Sequence, residues 1–316
     1  MTLTDRLQAL DRRQQQSPRL AFLAAVVKKF SDDQAGHLAA LIAYYGFVSL
    51  FPLLLVLVTV LGFVLQGDPG EQQRILNGAL GQFPILRDQL KLHSLKGSSV
   101  ALAVGVVGSL LAGMGLTGAT QNAFDRIWSV PFKHRPNFIF ARLRGLGMLT
   151  ILGTLSIVST TAAGFVGSSS HAALAVVAGI VVALVLNVVL FMTAFKLLTA
   201  VEVAWRDLLP GVITAAVFWQ LLQALGGYYV NHELKRTGPL YGVFALVLGL
   251  LAWLYLGAQL TIFAAEINVV KVNRLWPRSF FSEPLLEADR RALTSSAEVE
   301  ERVEEENVEV TFDGPE

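Results

Sequence analysis

The sequence predicts an all-α polytopic membrane protein, a six-helix transmembrane bundle flanked by amphipathic interfacial helices. Three observations carry this expectation. Only 16% of the 316 residues are charged and 53% are apolar, whereas soluble domains carry roughly a quarter charged residues. Asp, Glu, Lys and Arg are absent from five windows, 34–67, 97–124, 145–195, 208–232 and 237–265, which together hold more than half the chain. A bilayer is crossed by about 20 apolar residues, so four windows hold one span each and the longest holds two. The runs are continuously apolar, without the alternation a barrel strand needs, which leaves helices as the way to satisfy the backbone in lipid.

Residues 1–38 form a cytoplasmic N-terminal segment in this reading. It is polar through Gln16, and the first long apolar run lies beyond residue 38, too long for a signal-peptide core, so the first span is expected to stay uncleaved. Within the segment, residues 18–30 place Leu20, Leu23, Val27 and Phe30 on one helical face beside Lys28 and Lys29, the pattern of a helix lying in the headgroup layer.

The spans are expected at about 39–66, 98–119, 145–166, 172–195, 208–230 and 240–265. The small polar cluster Gly167, Ser168, Ser169, Ser170 and His171 divides the longest window. Pro52 in the first span removes a helical hydrogen bond and predicts a bend or break. Tyr44, Tyr45 and Ser49 on the preceding turns bring hydroxyls to that point, and with Pro52 they are candidates for a substrate path. Asn187 in the fourth span and Gln220 in the fifth complete that set, because polar groups at membrane depth are costly and need partners.

The second span carries Gly105, Ser109 and Gly113 at four-residue spacing, and the sixth carries Gly249 and Gly257. Small residues on one face let helices approach closely, so these positions predict packing seams. Between spans, residues 69–95 suggest short amphipathic helices interrupted by Pro84, and residues 120–144 form a basic connector. Ala123-Phe124 and Ala194-Phe195 each close a helix, a faint internal echo.

Orientation follows the Lys and Arg excess in short connecting segments. With the N-terminus inside, sixteen such residues lie on the cytoplasmic side and six outside. Both termini are therefore expected in the cytoplasm. From about residue 283 twelve acids face three cationic residues, and this part of the 267–316 tail is expected to be disordered. Without it, the remainder carries 22 cationic residues against 12 acids.

Four charges stand apart as structural or coupling groups: Asp125, Arg126, Arg206 and Glu266. Glu266 closes the sixth span, where the helix dipole disfavours an acid, and it requires a nearby cation. Arg126 is the preferred partner, with Arg206 and Lys271 on the same side.

The chemistry of catalysis is thinly represented. Cysteine is absent, and the five histidines form no HExxH or other dense metal-ligand cluster. There is no GxxxxGK[ST] loop and no GxSxG serine. No enzyme activity, catalytic residue, metal or cofactor is expected. The lipid bilayer is the expected partner, with anionic lipid at the basic cytoplasmic face. Nucleic acid is not expected, because the positive-inside bias explains the connector's charge. The sequence sets no oligomeric state.

Four motifs in order resemble one family. They are Ala39-Ala40-Leu41-Ile42-Ala43-Tyr44-Tyr45 with Ser49-Leu50-Phe51-Pro52-Leu53, then Ala123 with Ile127-Trp128 and Arg135-Pro136, then Trp205-Arg206-Asp207 through Pro210-Gly211, and finally Tyr241-Gly242, Trp253-Leu254-Tyr255 and Ala265-Glu266-Ile267. The chain resembles the YihY/BrkB family over residues 20–275, with Ala264 where that family usually has glycine. The resemblance implies a six-helix bacterial inner-membrane protein with both termini inside. A transporter of an envelope lipid, amphiphile or small solute is the leading expectation. A non-transporting scaffold that binds anionic lipid or partner proteins is the alternative. The ribonuclease label historically attached to the family is not expected to apply, because the HxHxDH cluster of such a nuclease is missing.

Overall fold

The computed structural model describes residues 3–64, 99–135, 173–232, 239–280 and 285–313, with Gly70, Phe140 and scattered positions between 143 and 154. The described elements are helical throughout: α1 (Leu3–Gln16), α2 (Pro18–Asp32), α3 (Ala35–Val64), α4 (Ser99–Ile127), a short 3-10 turn (Phe132–His134), α5 (Ala173–Leu198), α6 (Trp205–His232), α7 (Pro239–Val272) and α8 (Glu287–Glu298). Five of them, α3 to α7, are long and apolar enough to cross a membrane. The expected span at 145–166 and the expected external helices of 69–95 lie largely outside the described residues.

The spanning helices contact one another in the order α4, α3, α7, α6, α5. Small residues set the close approach of α3 and α4. A Cβ on Gly108 would lie 3.0 Å from Pro52 Cβ, one on Gly105 3.0 Å from Val56, and one on Gly115 2.6 Å from the Tyr45 ring. The seam thus runs through 105, 108 and 115. Gly108 joins the expected row, whose Ser109 hydroxyl and Gly113 are also buried. Pro52 does not interrupt α3, which continues to Val64. On α7, a Cβ at Gly257 would stand 3.3 Å from Trp219, while Gly249 is half-buried.

Both termini gather at one end of the bundle, here termed proximal. Two helices stop there in the same way. Ser129 and Arg274 adopt φ of 52°, and the next amides, Val130 and Leu275, return to the carbonyls of Asp125 and Val270. These six-to-one bonds satisfy the last carbonyls of α4 and α7. The dense core lies at this end, built from Ala25, Val26, Phe124, Ile127, Phe195, Leu208, Val212, Ile262 and Val269. The outward faces of the spans, with Val104, Val107 and Leu111 on α4 and Val181, Val185 and Val189 on α5, are exposed, as lipid-facing surfaces must be.

Two expectations for the proximal end change. The amphipathic helix is present as α2, with Pro18 in its first turn where a missing amide costs nothing, and Leu20, Leu23 and Val27 exposed. Phe30, expected on that face, instead packs on Phe263 at 5.8 Å between ring centroids. The acidic tail is ordered rather than disordered. Residues 287–298 form α8, whose Ala288 and Ala292 are buried, and Val299 is buried just beyond it. The tail supplies few apolar side chains of its own, but the proximal face supplies cations, and ion pairs with that face replace the missing core.

Candidate functional site

The helix order brings three charged residues together inside the proximal core. Ala21, Ala25 and Val26 let α2 lie close beneath the bundle, and all three are buried. Lys29, one turn beyond Ala25, therefore enters the core with 2% of its surface exposed. Its ammonium donates to the Asp33 carboxylate and to the Ile127 carbonyl at 3.1 Å, and lies 4.0 Å from Glu266. Glu266 is fully buried on α7, and neither of its oxygens accepts a hydrogen bond among the described residues. Two carboxylates thus share one ammonium, which also fastens the last turn of α4 to α2.

This corrects the pairing expected for Glu266. Arg126 turns outward and meets Glu300 of the tail at 3.3 Å. Lys271 pairs with Asp207 at 3.3 Å, and Arg206 is exposed without an ion pair among the described residues. The sequence argument chose cations at the depth of a helix end, whereas α2 carries its lysine underneath from a different segment. Asp125 is also buried and forms no ion pair among the described residues, although Arg135 and Arg144 act on it from a greater distance.

Beside this group the ends of α4 and α5 meet. Phe124 and Phe195 stand edge to face with centroids 5.4 Å apart, and Phe191 continues the aromatic layer to Trp219. The Ala-Phe echo of the sequence therefore places its two phenylalanines in contact. Eight residues before Phe195, or about 12 Å along the helix, Asn187 donates to Gln220 at 3.4 Å across α5 and α6. Tyr44, Tyr45, Ser49 and Pro52 lie instead along α3, whose chief neighbours are α4 and α7. Tyr44 is exposed and its ring contacts Tyr45, and Ser49 donates to the Gly46 carbonyl at 2.7 Å. The candidate path residues thus form two groups rather than one.

The α6–α7 contact that seats Glu266 depends on Gly211. A Cβ there would run into the Ala264 carbonyl oxygen, and the Gly211 amide donates to Asn268 at 2.8 Å. Ala264 itself is fully buried, so its methyl is accommodated and the glycine is needed on the facing helix.

The tail closes the proximal face. Asp289 accepts from Lys28 (2.8 Å), Arg278 Nε (2.8 Å) and the Ser279 amide (3.0 Å). Burial would raise its pKa, but these donors outweigh it and hold the carboxyl below its ordinary value. Arg278 also pairs with Asp32 at 2.8 Å. Further on, the Phe132 and Lys133 amides donate to the Val299 and Glu301 carbonyls, and the Lys133 ammonium meets Glu301 at 2.8 Å. That hydrogen bond raises the lysine pKa and lowers the glutamate's. Among the described residues no group of three His, Asp or Glu is arranged to hold a metal.

The profile of the Virulence factor BrkB family matches residues 26–279, a stretch that includes Lys29, Asp33, Phe124, Phe195 and Glu266. The chain belongs to the Virulence factor BrkB (YihY) family. The chain is similar to the inner membrane protein YhjD of Escherichia coli, 27% identical over 276 residues, covering 79% of this chain and 81% of that one. The ribonuclease-like protein YfkH of Bacillus subtilis is 24% identical over 280 residues, covering 81% and 96%. A UPF0761 membrane protein of Ralstonia nicotianae is 29% identical over 206 residues, and this chain spans 43% of its length. No solved structure matches. Membership and the apolar helices make this a multi-pass inner-membrane protein of the BrkB family.

Lys29 and Asp289 are the residues that sequence reasoning missed. The row Ala21, Ala25, Lys29, Asp33 at four-residue spacing carried a signal, because it continues a small-residue contact face into a charge pair. Nothing local marked Asp289, whose partners lie across the whole chain.

Proposed function

We propose that this BrkB-family protein is a transporter of an envelope lipid, amphiphile or small solute, with a path between α4 and α5 that is closed at the proximal end by Phe124 and Phe195. The meeting of these two rings, beneath the Asn187–Gln220 pair, is the observation that carries the reading. An edge-to-face aromatic contact adds about 0.5–1.5 kcal/mol beyond the burial of the two rings, so parting Phe124 and Phe195, each 1% exposed, costs chiefly that burial unless substrate replaces it. Lys29 holds the Ile127 carbonyl one turn from Phe124, so the Lys29–Asp33–Glu266 group acts as the latch of this closure. The Lys and Arg bias supports a cytoplasmic proximal end with both termini inside. Neither catalysis nor a cofactor is part of this function, and the ribonuclease-like name of YfkH stays with that protein.

The test is transport in liposomes containing the full chain, read with a fluorescent phospholipid and external dithionite and, in parallel, with entrapped small solutes. The combined variant Phe124→Ala and Phe195→Ala should speed translocation while keeping the fold. Glu266→Gln should alter the rate more than it alters helical content. A folded protein that moves none of these probes, with or without the two phenylalanines, would favour the scaffold reading.

A further inference from the structure

Most cationic side chains at the proximal end are already engaged. Lys28 is taken by Asp289, Lys29 by Asp33, Arg126 by Glu300, Lys133 by Glu301, and Arg278 by Asp32 and Asp289. Two cations of the basic connector, Arg126 and Lys133, are therefore occupied by the chain's own tail. Arg12, Arg13 and Arg19 differ: all three are exposed and make no ion pair among the described residues. Arg19 borders a groove of about 520 Å³ whose other walls are Pro18, Phe22, Leu23 and Trp276. Phe22 and Trp276 meet edge to face in its lining, with centroids 5.2 Å apart. Leu20, Leu23 and Val27 continue the apolar surface along α2, each more than half exposed. Such a face is unfavourable in water and suits the boundary between acyl chains and headgroups, with arginines at headgroup level.

We infer that this groove is a binding site for an anionic phospholipid, with one acyl chain lying along Phe22, Leu23 and Trp276 and the headgroup phosphate held by the Arg19 guanidinium. Charge complementarity selects the occupant. Among the described residues the arginines have no acid of their own, and a planar guanidinium can hold a phosphate through two parallel hydrogen bonds. Arg12 and Arg13 add attraction without touching the acyl chain. The site is independent of whether the protein transports anything.

The test uses the full chain in phosphatidylcholine nanodiscs doped with dibrominated phosphatidylglycerol or, at equal mole fraction, dibrominated phosphatidylcholine, with tryptophan quenching as the readout. Brominated phosphatidylglycerol should quench more strongly, and Trp276→Phe should remove the excess. Arg19→Gln should weaken the association roughly fivefold, the worth of one cationic residue near a charged surface. Arg206→Gln, an exposed cation at the same end but outside the groove, should leave it unchanged and controls for lost charge. Equal quenching by the two lipids would overturn the proposal, as would an excess that survives Arg19→Gln. Displacement of the excess by millimolar inorganic phosphate would assign the site to free phosphate and overturn it as well.

Discussion

Replacing Lys29 by methionine keeps the length and apolar stem of the side chain and removes only the ammonium. The structure sets the size of the effect. The charge lost is 2% exposed, and it leaves behind Asp33 at 5% and Glu266 at 0% exposure, together with an Ile127 carbonyl that loses its donor. Breaking a buried pair by removing one partner costs about 3–5 kcal/mol, because the remaining charge stays desolvated. Arg126→Gln provides the comparison. Its pair with Glu300 has side chains 36% and 55% exposed, and such surface pairs are worth about 1 kcal/mol or less. Adding Glu266→Gln to Lys29→Met should recover part of the loss, with a coupling of about 1–3 kcal/mol between the two positions. Unfolding of the parent, the three single variants and the two double variants carrying Glu266→Gln in one detergent, followed by tryptophan fluorescence, measures both cycles. Coupling of Glu266 to Arg126 as strong as its coupling to Lys29 would refute this assignment, as would a Lys29→Met protein within about 0.5 kcal/mol of the parent.

Asp289→Ala should release the tail, read as faster motion of a spin label at Leu293→Cys in this cysteine-free chain, and deletion of residues 284–316 should lower thermal stability. Tail docking should also depend on pH. Asp289 and Glu301 are held below their ordinary pKa, so their contribution is full above about pH 4 and lost as pH falls below it. The raised Lys133 contributes fully below about pH 10.4 and is lost as pH rises beyond its elevated pKa. The same spin label should therefore mobilise at both extremes, and an unchanged spectrum at acid pH would contradict the ion-pair account. Gly211→Ala should destabilise by about 1–3 kcal/mol, the usual cost of overpacking, because the new methyl meets a backbone carbonyl rather than a movable side chain. Arg12→Cys should resist an impermeant thiol reagent in intact cells while His232→Cys reacts, and the reverse pattern would invert the proposed orientation.

The transmembrane part was legible because hydrocarbon imposes a simple rule on composition. The charge-free window 208–232 and the helix Trp205–His232 nearly coincide. The Asn187–Gln220 bond was also accessible in principle, since each residue had to find a partner in lipid. What escaped was everything decided by which helix lies beneath which. Glu266 announced a need for a cation, but Arg126, Arg206, Lys271 and Lys29 all satisfied that need in sequence. Only the crossing of α2 under α7 chose among them. The tail failed for a related reason. Its composition describes a chain that cannot fold by itself, and Asp289 does not fold by itself: it is ordered by Lys28 and Arg278.

Lys28 and Asp289 stand 261 positions apart. Synthesis runs from the N-terminus, so α2 leaves the ribosome long before the acid that neutralises its lysine exists. During that interval Lys28 lacks Asp289, and Asp11 lacks the Ser279 hydroxyl that it later receives at 2.8 Å. The Asp11 contact forms only once translation has passed α7, and the Lys28 contact only once it has reached α8. A product cut short before residue 289 lacks the carboxylate that pairs with Lys28 and Arg278. The join between these distant segments can close only after the spanning helices α3 to α7 have been made.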